Sequence, residues 1–268
     1  MKKSILLTFL CISSLLISCS NDDENGNEAV NFTIPLTDGN YWTYDVDSEG
    51  TLTRDSIYIS GDVILNTKTY KKFQTRDDVA TGFYSSSLRN NGVRKSDSKL
   101  FLSGDLSLSS GQNLPINFDL TLDDFVIFNS NASNNQALNN SAVTGTIQET
   151  YNEYPLTINY SLQSYGGESF TTFTSPNGDV YNNVKATKIK LNVSVTTEQT
   201  VGGFTFPITV LTPQDLIIST LYTAEGIGVV YTNTDTSYSI NSTVADQFGI
   251  PATGTQNQKE YLDIYMID

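Results

Sequence analysis

Histidine is absent from the 268 residues, and there are only two cysteines, one tryptophan and 15 lysines and arginines. The missing histidine excludes the most. Without an imidazole there is no Ser-His-Asp or Cys-His triad, no histidine general base and no histidine-ligated zinc. Both cysteines, Cys11 and Cys19, lie near the N-terminus. The rest of the chain therefore has no thiol for a disulfide, a thiolate metal site or a cysteine nucleophile. Carboxylate chemistry and serine–lysine pairs are what remain. The expectation is a protein that is not an enzyme and that holds no cofactor and no metal.

Positive charge is scarce as well. The 15 basic residues face 29 acidic ones, a net charge of −14. That balance repels phosphate backbones and no basic cluster offsets it, so nucleic acid is excluded as a partner. Polybasic docking on anionic lipid is disfavoured for the same reason. Helical periodicity is also missing from every stretch of ten or more residues. Short helices are expected at most over 243–249 or after Pro213.

What is present begins at the N-terminus. Met1-Lys2-Lys3 precedes an apolar run from Ile5 to Ile17, and Ser18 precedes Cys19. A positive start, a short apolar core and a small residue before the cut are the parts of a secretory signal. The run is short for a membrane span, which needs roughly 20 residues. With the cysteine directly after the small residue, the segment resembles a bacterial lipoprotein signal. The resemblance implies cleavage after residue 18 and lipidation of Cys19, with the membrane as partner through a covalent lipid anchor. Loss of Lys2 and Lys3 with residues 1–18 takes the net charge from −14 to −16.

Residues 19–31 are polar and acidic and read as a lipidated flexible tether. Ser20, Asn21, Asp22, Asp23 and Glu24 resemble the surface-export signal of Bacteroidota lipoproteins, in its flavobacterial form. That resemblance implies an outer-membrane, cell-surface location, with the periplasmic face as the alternative.

From residue 32 onward apolar residues alternate with polar ones. The pattern is clear in Leu156–Leu162, Ile189–Val195, Ile116–Leu122 and Leu262–Met266. Such alternation marks antiparallel strands with one buried and one wetted face. Turn residues separate the runs at Asp38-Gly39-Asn40, Gly61-Asp62, Asn90-Asn91-Gly92, Gly166-Gly167, Pro176-Asn177-Gly178 and Gly202-Gly203. The expected fold is mainly β and antiparallel, with little helix: a strongly curved open sheet or half-barrel, or a β-sandwich. It occupies 32–268 as a single domain. Tyr44, Gly50 and Gly61-Asp62-Val63 echo Tyr160, Gly166 and Gly178-Asp179-Val180, which raises two related halves, 32–150 and 151–268, as an option. Residues 129–140, rich in Asn and Ser, read as a mobile loop.

Candidate chemistry is sparse. Trp42 and Tyr44 would suit a sugar-stacking platform, although sharing one strand face with Val46 makes core packing the simpler reading. Asp77-Asp78, Asp123-Asp124 and Asp45 with Asp47 are paired acids that could hold calcium or divide acid–base work. Adjacent strand residues point to opposite faces, which favours solvated charge instead. Asp55-Ser56-Ile57 resembles the O-glycosylation acceptor of exported Bacteroidota proteins, with Ser56 as the acceptor. Glu225-Gly226-Ile227-Gly228-Val229-Val230 reads as a tight turn or bulge before a buried strand. It lacks the third glycine and the helix of a dinucleotide site.

Trp42-x-Tyr44, the strand at Val184-Lys185 and the Glu225–Val230 segment together resemble Bacteroidota surface lipoproteins, several with open, strongly curved sheets similar to half-barrel lipoprotein carriers. The resemblance implies no catalytic residues. The function expected is that of a non-enzymatic outer-membrane surface lipoprotein with a binding or envelope-structural role. Glycan capture for polysaccharide uptake, and a periplasmic-face lipid or lipoprotein carrier, are the alternatives, with a glycan or an envelope protein as partner.

Overall fold

The computed structural model describes residues 32–107 and 119–268. The leader and tether, with Cys19 and Ser20, Asn21, Asp22, Asp23 and Glu24, lie outside the described residues, as do residues 116–118 of one alternating run. Residues 32–268 cluster as one unit.

The alternating runs all become strands. The first six are β1 (Tyr41–Ser48), β2 (Thr51–Leu65), β3 (Lys68–Thr75), β4 (Gly92–Ser96), β5 (Lys99–Ser107) and β6 (Asp119–Asn129). The second six are β7 (Val143–Tyr151), β8 (Tyr154–Thr174), β9 (Val180–Val201), β10 (Phe204–Ala224), β11 (Gly228–Ser239) and β12 (Thr253–Met266). They form one sheet in the order β6-β5-β4-β3-β2-β1-β12-β11-β10-β9-β8-β7. It is a meander in which the first and last strands pair at the centre, antiparallel throughout, with β6 and β7 as its two edges. The sheet is strongly curved and nearly closed. A single curved sheet, not a two-sheet sandwich, is the architecture. Its concave face carries one continuous core that includes Trp42, Ile57, Phe73, Leu102, Phe125, Ile158, Leu191, Leu221 and Leu262.

Local chemistry sets the hairpins. Glu49-Gly50, Asn66-Thr67, Asn152-Glu153 and Gly202-Gly203 each place two successive residues at positive φ. That is the two-residue turn whose twist matches the strands it joins. Connections alternate between the two ends of an antiparallel meander. The turns at 49–50, 152–153 and 202–203 therefore share one end, and residues 32–40 enter at the other.

The open edge is stitched by side chains. Asn139 Nδ2 donates to the Val126 carbonyl at 3.2 Å and to Ser164 Oγ at 2.9 Å, and Asn139 Oδ1 accepts the Val126 amide at 2.8 Å. Ser164 Oγ also donates to the Val126 carbonyl. Thus β6 is tied to β8 across the gap without a strand ladder. Asn139→Ala leaves the Val126 amide without its acceptor and the Val126 carbonyl with Ser164 Oγ alone, a loss of about 1–3 kcal/mol. Hydrogen exchange at Val126 is expected to speed up more than that of the β1–β12 amides.

Three expectations need correcting. Residues 129–140 are held, not mobile: Asn135 N donates to the Gly166 carbonyl and Leu138 N to the Ser164 carbonyl, which extends the edge of β8. No helix follows Pro213, which lies inside β10 where the register with β9 shifts between Leu211 and Gln214. A proline without an N–H is tolerated at such an irregularity. The internal echo joins unlike places: Gly50 is a hairpin turn whereas Gly166 is within β8, and Gly61 is within β2 whereas Gly178 is in the turn before β9.

Two short helices complete the fold, α1 (Phe83–Leu88) and α2 (Ser242–Phe248). The second matches the expected 243–249. Asn241 accepts the Thr243 and Val244 amides at its start, and Gly249 ends it at φ 68°.

Candidate functional site

The chain's most constrained polar group is Glu260, on the concave wall of β12 and fully buried. It is there because α1 needs it. The helix has Gly82 at its N-cap, with no side-chain cap of its own, yet Phe83, Ser85, Ser86, Ser87 and Leu88 are buried. Its free amides must therefore be satisfied by the wall. Asp55 on β2 accepts the Thr81 amide at 2.8 Å and the Gly82 amide at 2.7 Å. Gln258 on β12 accepts the Phe83 amide at 2.7 Å. Glu260 accepts the Tyr84 amide at 2.6 Å, the Ser85 amide at 3.2 Å and the Ser85 hydroxyl at 2.9 Å. Its other side is met by the Thr232 hydroxyl at 3.2 Å. Five consecutive amides are thus capped by three side chains from strands far away in sequence.

Burial pushes the Glu260 carboxyl up to about 7, against the pull of the Tyr84 and Ser85 donors. Burial likewise raises the Tyr44 and Tyr84 phenols, which meet edge to face at 5.6 Å. Gly82 must lack a side chain, because a methyl there would overlap the Glu260 carboxylate. Every oxygen of this cluster is committed to the chain itself. The cluster holds a helix in place and leaves no group to act on a ligand.

Above α1 the concave side closes. Ile34, Pro35 and Leu36 lie across the end where the chain enters, facing Tyr84, Leu88, Trp42 and Phe73 over a remaining cavity of about 40 Å³. That is room for about one water molecule. Gly226 N donates to the Thr33 carbonyl at 2.7 Å, and Phe32 packs on Phe128 with ring centroids 5.1 Å apart. Residues 32–36 act as a strap over the core.

The residues singled out in the sequence fall as follows. Trp42 is 3 % exposed, stacks on Phe73 and donates Nε1–H to the Ile227 carbonyl at 2.7 Å. Tyr44 is buried, its hydroxyl on the Val229 carbonyl at 2.8 Å. Neither ring offers a face to a sugar. Glu225, Gly226 and Ile227 form the β10–β11 turn and Gly228 opens β11, where, at φ 111°, it lies against the Trp42 indole. Ser56 is half-buried on β2, hydrogen-bonded to Thr43 Oγ1 at 2.9 Å.

The paired acids do not converge. Asp77 and Asp78 lie in a 3-10 turn at Arg76–Asp78. Asp124, at a bulge with φ 50°, takes Arg94 Nε at 2.7 Å, Tyr70 at 2.5 Å and Lys68. The Arg94 guanidinium holds its carboxyl well below the usual carboxylate range. Asp45 pairs with Arg54 at 2.6 Å. Among the described residues no group of three or more acids is placed to hold a metal ion.

Nothing in the residue pattern points to two features that open to solvent at the far end. A polar cavity of about 360 Å³ lies between the β1–β2 turn and the start of β12. It is lined by Ser48, Glu49, Thr51, Thr53, Thr81, Thr255, Gln256 and Gln258. Past it, Phe204 and Phe206 stand 70 % and 53 % exposed beside the β9–β10 turn. Comparison with known protein families, with curated proteins and with solved structures gave no match.

Proposed function

We propose that this chain is a lipid-anchored outer-membrane protein of the cell surface, with a binding or envelope-organising role, that meets its ligand at the end of the sheet opposite residues 32–40. The N-terminal segment ending at Cys19 and the acidic run Ser20–Glu24 support the anchor and the location. The observation that carries the binding mode is the filled concave side. Between α1 and the strap only about 40 Å³ is left over, and the larger cavity beside α1, about 600 Å³, is bordered by Arg89, Asn90, Asn91, Asp105, Asp119 and Thr121, a polar rim that does not suit an acyl chain.

Residues 32–40 leave the sheet at the end opposite the 49–50, 152–153 and 202–203 turns. The polar cavity there is built of hydroxyls, amides and one carboxylate, with no lysine or arginine in its lining. Such a lining suits a neutral polyhydroxylated ligand, whose hydroxyls both donate and accept. A glycan is the ligand class that this chemistry favours, taken up at the far end and not on Trp42.

Protease treatment of intact cells tests the location. The expected result is digestion of the domain in intact cells, with a Cys19→Ala variant missing from the membrane fraction. Protection until the cells are lysed would overturn surface exposure and favour the periplasmic face.

A further inference from the structure

Ser169 and Lys185 lie opposite each other on the β8–β9 ladder. Lys185 is only 7 % exposed, whereas Ser169 is open to solvent. Lys185 Nζ is 3.0 Å from Ser169 Oγ and 2.6 Å from the Ala132 carbonyl oxygen. It forms no ion pair among the described residues. Burial without a carboxylate lowers its pKa, because a charged ammonium is costly where water is excluded.

Its buried position makes the Lys185 amine easier to deprotonate than that of an exposed lysine. Nζ donates to both the Ala132 carbonyl and Ser169 Oγ; on losing one proton it can keep the Ala132 bond and turn the freed lone pair toward the Ser169 hydroxyl. Nucleophile, base and a third group that orients the base are the parts of an activated serine.

The local fold explains how the pair arises. The β8–β9 register shifts between Gly166 and Ser169. At Gly167 the missing Cβ leaves room for Ala186. Gly166 N donates to the Gln136 carbonyl at 2.8 Å, so the segment that closes the sheet edge also carries Ala132 over Lys185. With histidine absent and both cysteines near the N-terminus, a serine–lysine pair is one of the few nucleophilic devices open to the folded body.

We propose that Ser169 is a nucleophile with Lys185 as its general base, and that the pair transfers acyl groups from small esters. This goes beyond the binding role and uses neither the far-end cavity nor α1. Ser169 Oγ attacks the ester carbonyl carbon as its proton passes to Lys185 Nζ. The carbonyl–oxygen bond to the leaving alcohol breaks, and Lys185 returns the proton to that oxygen. The product is an acyl ester on Ser169. Water then attacks the acyl carbon, Lys185 takes its proton and hands it to Ser169 Oγ, and a carboxylic acid leaves. The sum is ester plus water giving acid plus alcohol.

The full chain treated with p-nitrophenyl acetate provides the test, read as nitrophenolate release and as acetylated peptides after acid quench. The expected result is an acetyl ester on Ser169. Ser169→Ala should abolish it, and Lys185→Met should slow its formation at least ~100-fold, the scale of general-base assistance. Melting curves of both variants show whether they fold. The wild-type rate supplies an independent readout, rising with pH to a midpoint below the ordinary lysine range. Acetylation of Lys185 itself, acetylation confined to surface lysines, or release unchanged by Ser169→Ala would overturn the proposal.

Discussion

Glu260→Ala is expected to destabilise the folded domain by about 2–6 kcal/mol, at about 1–3 kcal/mol for each of two buried amides left without an acceptor. The variant strips the Tyr84 and Ser85 amides and the Ser85 and Thr232 hydroxyls of their common acceptor. Water cannot replace it at a fully buried position. Denaturant unfolding of the two proteins at one pH measures the loss.

The pH dependence separates this role from simple packing. Burial holds the folded carboxyl at about 7, against the ordinary glutamate value of 4.5 in the unfolded chain. Between those values the folded state holds the extra proton. The contribution from Glu260 is therefore full below about pH 4.5 and lost as pH rises through about 7, a change of about 3 kcal/mol. Glu260→Gln removes that slope, so its stability relative to wild type should improve from about pH 4.5 to about pH 7 and level off above. Asp124 acts in another window. Its depressed carboxyl supports the fold above the ordinary aspartate range and stops doing so as pH falls below it.

Trp42→Ala is expected to cost about 3–5 kcal/mol, as for other large aromatics removed from a core. The indole fills the space between Phe73 and Gly228 and satisfies the Ile227 carbonyl. Wild-type fluorescence should be blue-shifted and insensitive to added glycan, and a urea midpoint gives the loss in stability. A change below about 1 kcal/mol would mean that the ring stands at the surface, free for a ligand.

The strands were legible because one face of the sheet is buried and the other wetted, which writes period two into runs such as 156–162 and 189–195. α2 was legible through local chemistry, since Asn241 and Gly249 stand at its two ends. The inner helix was not. Phe83–Leu88 carries no cap next to it in sequence, and its caps lie at residues 55, 258 and 260, brought near only by the closing of the sheet.

The same reason hid the other sites. Asp55 read as part of a glycosylation triplet, while its carboxylate turns inward to the start of α1. Lys185 read only as a strand residue, because Ala132 reaches it through the 130–142 segment. The turns at Asn66-Thr67 and Asn152-Glu153 were missed because Thr and Glu rarely take positive φ. Strand pairing holds them there.

The central claim is that the sheet's concave side is occupied by its own chain, with α1 held by Glu260. Native-state hydrogen exchange of the Tyr84 and Ser85 amides tests it most directly. The account predicts exchange only through unfolding of the whole domain, and local loss of that protection in any Glu260→Ala protein that remains folded. Exchange of these two amides within seconds in the wild type, as in a surface loop, would contradict it and return the concave side to a ligand.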